Sequence, residues 1–134
     1  YKGQVLETIL QDVLDTPVSP ELLPQQDDKI VQKTEDIVGP YELHDFFIYH
    51  MIRFSDEPKK LLRKTKLAFK DKYDNETIKK WLIKFYWRFF TQQFKRSCIP
   101  DGPKVGSVSL SPRGDWRMPS DASVKEWIHE LENN

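Results

Sequence analysis

The chain has 134 residues, with 21 Lys/Arg against 21 Asp/Glu, and its formal net charge is zero. Hydrophobic residues make up 38% and aromatic residues 13%, enough for one domain hiding about two-thirds of its unfolded surface. A lone cysteine, Cys98, excludes an internal disulfide and a cysteine-based zinc site, and no apolar run approaches the ~20 residues of a membrane span. The simplest setting is a reduced, cytoplasmic one. Because the chain opens on Tyr1 and enters almost at once into a helical pattern, it reads as a piece of a longer protein.

Val5, Leu6, Ile9, Leu10, Val13 and Leu14 recur at helical spacing, so residues 4–14 are expected to form an amphipathic helix ended by Asp15-Thr16-Pro17. Residues 15–38 hold three prolines, a polar QQDDK run and no periodicity, which predicts a long loop of the kind used as a lid or binding loop. Gly39-Pro40 opens a second helix, with Pro40 at its first position and Leu43, Phe46, Phe47, His50, Met51 and Phe54 as its buried stripe. Ser55 or Asp56 is expected to cap a third helix running to about Phe69, with Leu61, Leu62, Thr65 and Phe69 inward. Asp74 or Asn75 caps a fourth, whose stripe is Ile78, Trp81, Leu82, Phe85, Phe89 and Gln93 and which ends near Phe94. Lys79, Lys80, Lys84 and Arg88 leave that stripe. Val105 to Leu110 suits one short strand, and Asp121 caps a last helix carrying Val124, Trp127, Ile128 and Leu131. The expectation is a mainly α structure of about five helices with at most one short strand.

Charge is segregated along the chain. Residues 1–58 carry 4 Lys/Arg and 12 Asp/Glu, residues 59–104 carry 14 and 4, and the remainder carries 3 and 5. The basic central block suggests a cationic face, against the common alternative of a solvated helix surface. Just behind it lies KRSCIPDGPKVGSVSLSPRGDWRMPSD, residues 95–121, a basic stretch with no apolar run to fold around. Pro100, Pro103 and Pro112 stiffen it, and a stiff cationic loop that needs an anion to order it is a candidate for phosphate or carboxylate recognition. The competing reason for Lys95 and Arg96 is the dipole at a helix C-terminus.

Other constellations carry less. His44, His50 and His129 have no metal-ligand spacing with one another or with Cys98, and His50 sits on an apolar stripe. No metal site and no catalytic residue is assigned. Lys95 and Arg96 beside Cys98 suit a lowered thiol pKa, but no base is placed to make it a nucleophile. Neither G-x-x-x-x-G-K-[ST] nor G-x-G-x-x-G occurs.

FKRSCIPDGPKVGSVSLSPRGDWRMPSDA resembles the C-terminal signature of glutamine-dependent NAD+ synthetases of the two-domain kind. LDTPVSPELLP and KTEDIVGPYELHDFF, in the same order, resemble a loop and the following helix of that synthetase domain. The resemblance implies that residues 1–134 are the C-terminal part of an α/β domain of the adenine-nucleotide α-hydrolase type. It implies ATP-dependent amidation of deamido-NAD+ through an adenylated carboxylate, with ammonia supplied from glutamine. ATP and Mg2+ would be substrates of the parent, no cofactor would be tightly held, and the enzyme would be a cytoplasmic homo-oligomer engaging neither nucleic acid nor membrane. Residue by residue, Ser19 in Val18-Ser19-Pro20-Glu21-Leu22 falls at the family's ATP-binding loop, and Phe94 and Lys95 fall at its deamido-NAD+ contacts. Arg96, Lys104 and Arg113 are added as anion contacts on charge alone. The family's SGG-x-D-S pyrophosphate loop and its Glu-Lys-Cys glutaminase triad do not occur, so the isolated chain is not expected to make NAD+. The alternative function is a helical module binding nucleic acid or protein through the 59–104 block, with Trp81, Phe85 and Trp87 near its cations.

Overall fold

A computed structural model describes residues 3–16 and 34–133, and the chain divides into two units, Tyr1–Gly39 and Pro40–Asn134. In the first unit, α1 spans Gly3–Asp15 and α2 spans Thr34–Val38. The apolar spacing of α1 is as read, and its six aliphatic side chains are exposed. The expected loop over 15–38 is corrected at its end, where Thr34–Val38 is helical. Gly39, at φ 99, follows α2 with its N–H donated to the Glu35 carbonyl at 2.8 Å. That conformation is open to glycine at little cost. At the loop's start Asp15 still belongs to α1, and residues 17–33, with Ser19, lie outside the described residues.

The second unit is built from α3 (Tyr41–Phe54), α4 (Pro58–Ala68), α5 (Asn75–Thr91), α6 (Gln93–Ser97) and α7 (Lys125–Glu132). Helices α3, α4, α5 and α7 pack on one another. Leu43, Phe47 and Met51 of α3 meet Leu61 and Leu62 of α4, the inner face of α5, and Val124 and Leu131 beside and within α7. Every α5 stripe residue except Trp81 is buried, and Tyr86 and Phe90 join it, widening the buried arc. Helices α3, α4 and α7 all pack on α5, which is why its apolar arc exceeds a single seam. Thr65 enters the core because its hydroxyl donates to the Leu61 carbonyl at 2.9 Å.

Several sequence expectations are corrected. The mainly α expectation holds, with seven helices among the described residues and none of those residues in a strand; the differences are local. Val105–Leu110 is irregular, with Val105 fully open to solvent. A strand needs a partner to satisfy its backbone; here the Ser109 N–H instead donates to the Asp115 carboxylate at 2.8 Å. Phe54 leaves the buried stripe and is half exposed, because α3 ends there and the chain reverses through Ser55 at φ 51. Ser55 and Asp56 are not caps of α4: Glu57 precedes it, and Pro58 takes its first position. Pro40, expected as the first residue of α3, sits one place before it. Asp74 does cap α5, accepting the Glu76 and Thr77 N–H groups at 3.0 and 2.9 Å. Asp121 lies in a turn, and α7 starts only after Val124. The fourth predicted helix breaks at Gln92 and resumes as α6, carrying the helical course past Phe94 to Ser97.

Candidate functional site

The break between α5 and α6 decides where the cations at this end of the helix point. Gln93 is buried behind it, while Phe94 and Lys95 face outward. The Lys95 ammonium lies 6.0 Å from the centre of the Phe94 ring and makes no ion pair among the described residues. Arg96 turns the other way. Its Nε donates to Gln93 Oε1 at 3.0 Å, its Nη2 donates to the Phe89 carbonyl, and its guanidinium lies 4.0 Å from the centre of the Phe89 ring. Burial lowers its pKa, though a guanidinium stays charged regardless. Cys98, exposed, donates its S–H toward the carbonyls of Phe94 and Lys95 at 3.5 and 3.2 Å.

The loop behind α6 is tied together by its own carboxylates. Asp115 takes the Lys104 ammonium at 2.6 Å and the Ser109 N–H, and the Lys104 hydrogen bond is the first reason its pKa falls. Arg113 reaches Asp101 through Nε at 2.9 Å and the Ile99 carbonyl through Nη1 at 2.7 Å. Arg117 donates to the Pro112 carbonyl at 3.0 Å. Trp116 pins the loop to the core edge-on against Phe89, with ring centres 5.2 Å apart. The sequence expectation that an outside anion is needed to order this loop overlooked Asp101 and Asp115. Of the assigned residues, the structure brings Phe94 and Lys95 together on one outward face, and gives Arg96, Lys104 and Arg113 partners within the chain.

A second charged cluster escaped the sequence reading. Asp56, buried at the α3–α4 turn, takes Lys60 at 2.8 Å, Lys64 at 2.5 Å and His50 Nδ1 at 3.0 Å. Burial pushes its pKa up, but the hydrogen bonds from Lys60, Lys64 and His50 outweigh burial and hold it at about 2. His50, on its apolar stripe, is thus a satisfied histidine, with the buried Asp56 carboxylate as its partner. No group of three or more His, Cys, Asp or Glu able to hold a metal ion occurs among the described residues, and no helix there is long and apolar enough to cross a membrane. Phe85, offered as a base-stacking residue in the alternative reading, is core, and Trp81 lies under the ammonium groups of Lys80 and Lys84 at 5.0 and 5.1 Å.

The geometry defines a helical segment that presents one ammonium and one aromatic ring on a face braced from behind. Comparison with known proteins places that segment. The glutamine-dependent NAD(+) synthetase of Mycobacterium leprae is 39% identical over 150 aligned positions, covering 98% of this chain and 22% of the relative. Those of Mycobacterium bovis and Mycobacterium tuberculosis are 36% identical, covering 97% of this chain and 22% of each relative. The alignments are longer than the chain, so the relatives carry residues within the span that it lacks. No family model matches. This chain is homologous over nearly its whole length to one segment of the glutamine-dependent NAD(+) synthetases, and it spans about a fifth of their length.

Proposed function

We propose that this chain is the C-terminal part of the ligase domain of an NAD+ synthase and forms one wall of its dinucleotide site. The reaction is ATP-dependent amidation of deamido-NAD+. The nicotinate carboxylate attacks the α-phosphorus of ATP and pyrophosphate leaves; ammonia from glutamine then attacks the acyl adenylate, and AMP leaves. A carboxylate is a poor electrophile, and adenylation makes its carbonyl attackable. What this segment adds is binding: the Lys95 ammonium faces the anionic dinucleotide, and the Phe94 ring offers a flat apolar surface beside it. Ser19 contacts ATP in this reading, with Lys104 and Arg113 as lesser contributors to the cationic surroundings. The rest of the α/β domain, the pyrophosphate loop and the glutaminase domain belong to polypeptide beyond this sequence. Mg2+ enters with ATP as substrate. The working enzyme is a cytoplasmic homo-oligomer.

The observation that carries the reading is the pairing of the synthetase match across nearly the whole chain with an outward Lys95 that makes no ion pair among the described residues. The experiment is a segment exchange: this chain replaces the matching span of the Mycobacterium leprae synthetase. The exchanged enzyme is expected to form NAD+ from deamido-NAD+, ATP and glutamine. A folded exchange product that hydrolyses glutamine but neither adenylates nor binds deamido-NAD+ overturns it.

A further inference from the structure

Arg96 stands where a cationic contact is easily assumed, yet its geometry assigns it other work. A helix that breaks leaves carbonyl groups without their intrahelical donors. At the α5–α6 junction, Gln92 departs from helical geometry at φ −100, ψ 13, and Arg96 closes the gap. One edge of its guanidinium meets the Phe89 carbonyl, another meets the buried Gln93 side chain, and its face covers the Phe89 ring. The same Phe89 ring receives Trp116 edge-on, at an interplanar angle of 73°. Phe89 is therefore a pivot gripped from α6 by Arg96 and from the loop by Trp116. Residues 94 and 95 lie between the two residues, Gln93 and Arg96, that this grip fixes.

We propose that Arg96 is a positioning residue: its two-pronged hold on the Phe89 carbonyl and Gln93 fixes the α5–α6 break so that Phe94 and Lys95 face the dinucleotide. The proposal rests on the function given above, and it replaces direct anion contact by Arg96 with action through its neighbour. A planar guanidinium suits this task because it reaches both acceptors from separate nitrogens while laying its face on the Phe89 ring. Lysine in its place keeps the charge and the donors but has neither the spread nor the planar face.

The test is a double-mutant cycle in a full-length synthetase carrying this segment, with KM for deamido-NAD+ and for ATP read separately. Lys95→Ala is expected to raise KM for deamido-NAD+ roughly tenfold, and Arg96→Met to raise it roughly three- to tenfold, both with the KM for ATP unchanged. Arg96→Lys recovers part of the loss. In the Lys95→Ala background, Arg96→Met adds little, because the group it positions is gone. Gln93→Met, which removes one acceptor at similar volume, gives a smaller effect in the same direction and serves if Arg96→Met does not fold. Effects of Arg96→Met and Lys95→Ala that multiply mean that Arg96 meets substrate itself, and they overturn the proposal. A normal KM for deamido-NAD+ in both Arg96→Met and Gln93→Met, beside a defective Lys95→Ala, also overturns it while leaving the site reading intact. A normal Lys95→Ala removes the site reading, and this inference with it.

Discussion

Neutralising Asp56 provides a sharp test of the energetics, because its charge is buried and its partners are known. Asp56→Asn keeps the shape of the side chain and removes the charge that draws Lys60, Lys64 and His50 to one point. The fall of the Asp56 pKa from 3.8 to about 2 corresponds to an upper bound of ~2.5 kcal/mol. Lys60 is half exposed and Lys64 one-third exposed, and solvent at those ammonium groups reduces the expected figure to ~1–2 kcal/mol. The sign follows from the depressed folded value. The stabilisation is present above the unfolded pKa and is lost as pH falls from about 4 toward 2. Urea unfolding of wild type and Asp56→Asn at a series of pH values isolates this residue from Glu42, Asp74 and Asp115, whose pKa values are also lowered. The two proteins are expected to differ by ~1–2 kcal/mol between pH 5 and 7 and to converge toward pH 2. A gap that stays constant with pH, or an Asn variant more stable at neutral pH, refutes the reasoning.

Other expectations concern packing, the loop and activity. Leu82→Ala, at a position with no exposed surface, should cost ~2–5 kcal/mol in denaturant unfolding; a loss below 1 kcal/mol contradicts the assigned core. Asp115→Ala should release Lys104 and the Ser109 N–H, so that hydrogen exchange at Ser109 accelerates while exchange in α5 stays slow. The purified 134-residue chain, given ATP, Mg2+, ammonia and deamido-NAD+, should show no turnover, and measurable NAD+ formation would contradict the division of the site proposed here.

The helices were legible in the sequence because their apolar positions repeat at the period of the structure they form. The stripe from Ile78 to Gln93 marks the core at every position except Trp81. Lys95 stands out in the sequence as a cation at a helix end and through the family resemblance, and its outward course is seen only in the structure. Arg96 looked the same in sequence, and only the break at Gln92 turns it inward, a backbone event with no glycine or proline to announce it. Asp56 was read as a helix cap because a Ser-Asp pair before Pro58 fits that pattern. Its true role depends on Lys64, two turns away, and His50, on the preceding helix, arriving at the same oxygen. The alternation in Val105–Leu110 suggested a strand, but local pattern says nothing of a missing partner, and Asp115 supplies the bond that a strand would have made. Asp101 and Asp115 lie inside the basic stretch itself, but each pairs with a cation on the far side of the loop, Asp101 with Arg113 and Asp115 with Lys104, so only the course of the loop shows the pairing.

The central claim is that Lys95 serves the dinucleotide and not the helix end. Lys95→Ala in a full-length synthetase carrying this segment, with kinetics and melting temperature measured on the same preparation, tests it directly. A substrate contact predicts kcat/KM for deamido-NAD+ lower by roughly tenfold or more, with the melting temperature nearly unchanged. A helix-end cation predicts normal kinetics and a stability loss of at most ~1 kcal/mol, and that result would contradict the account.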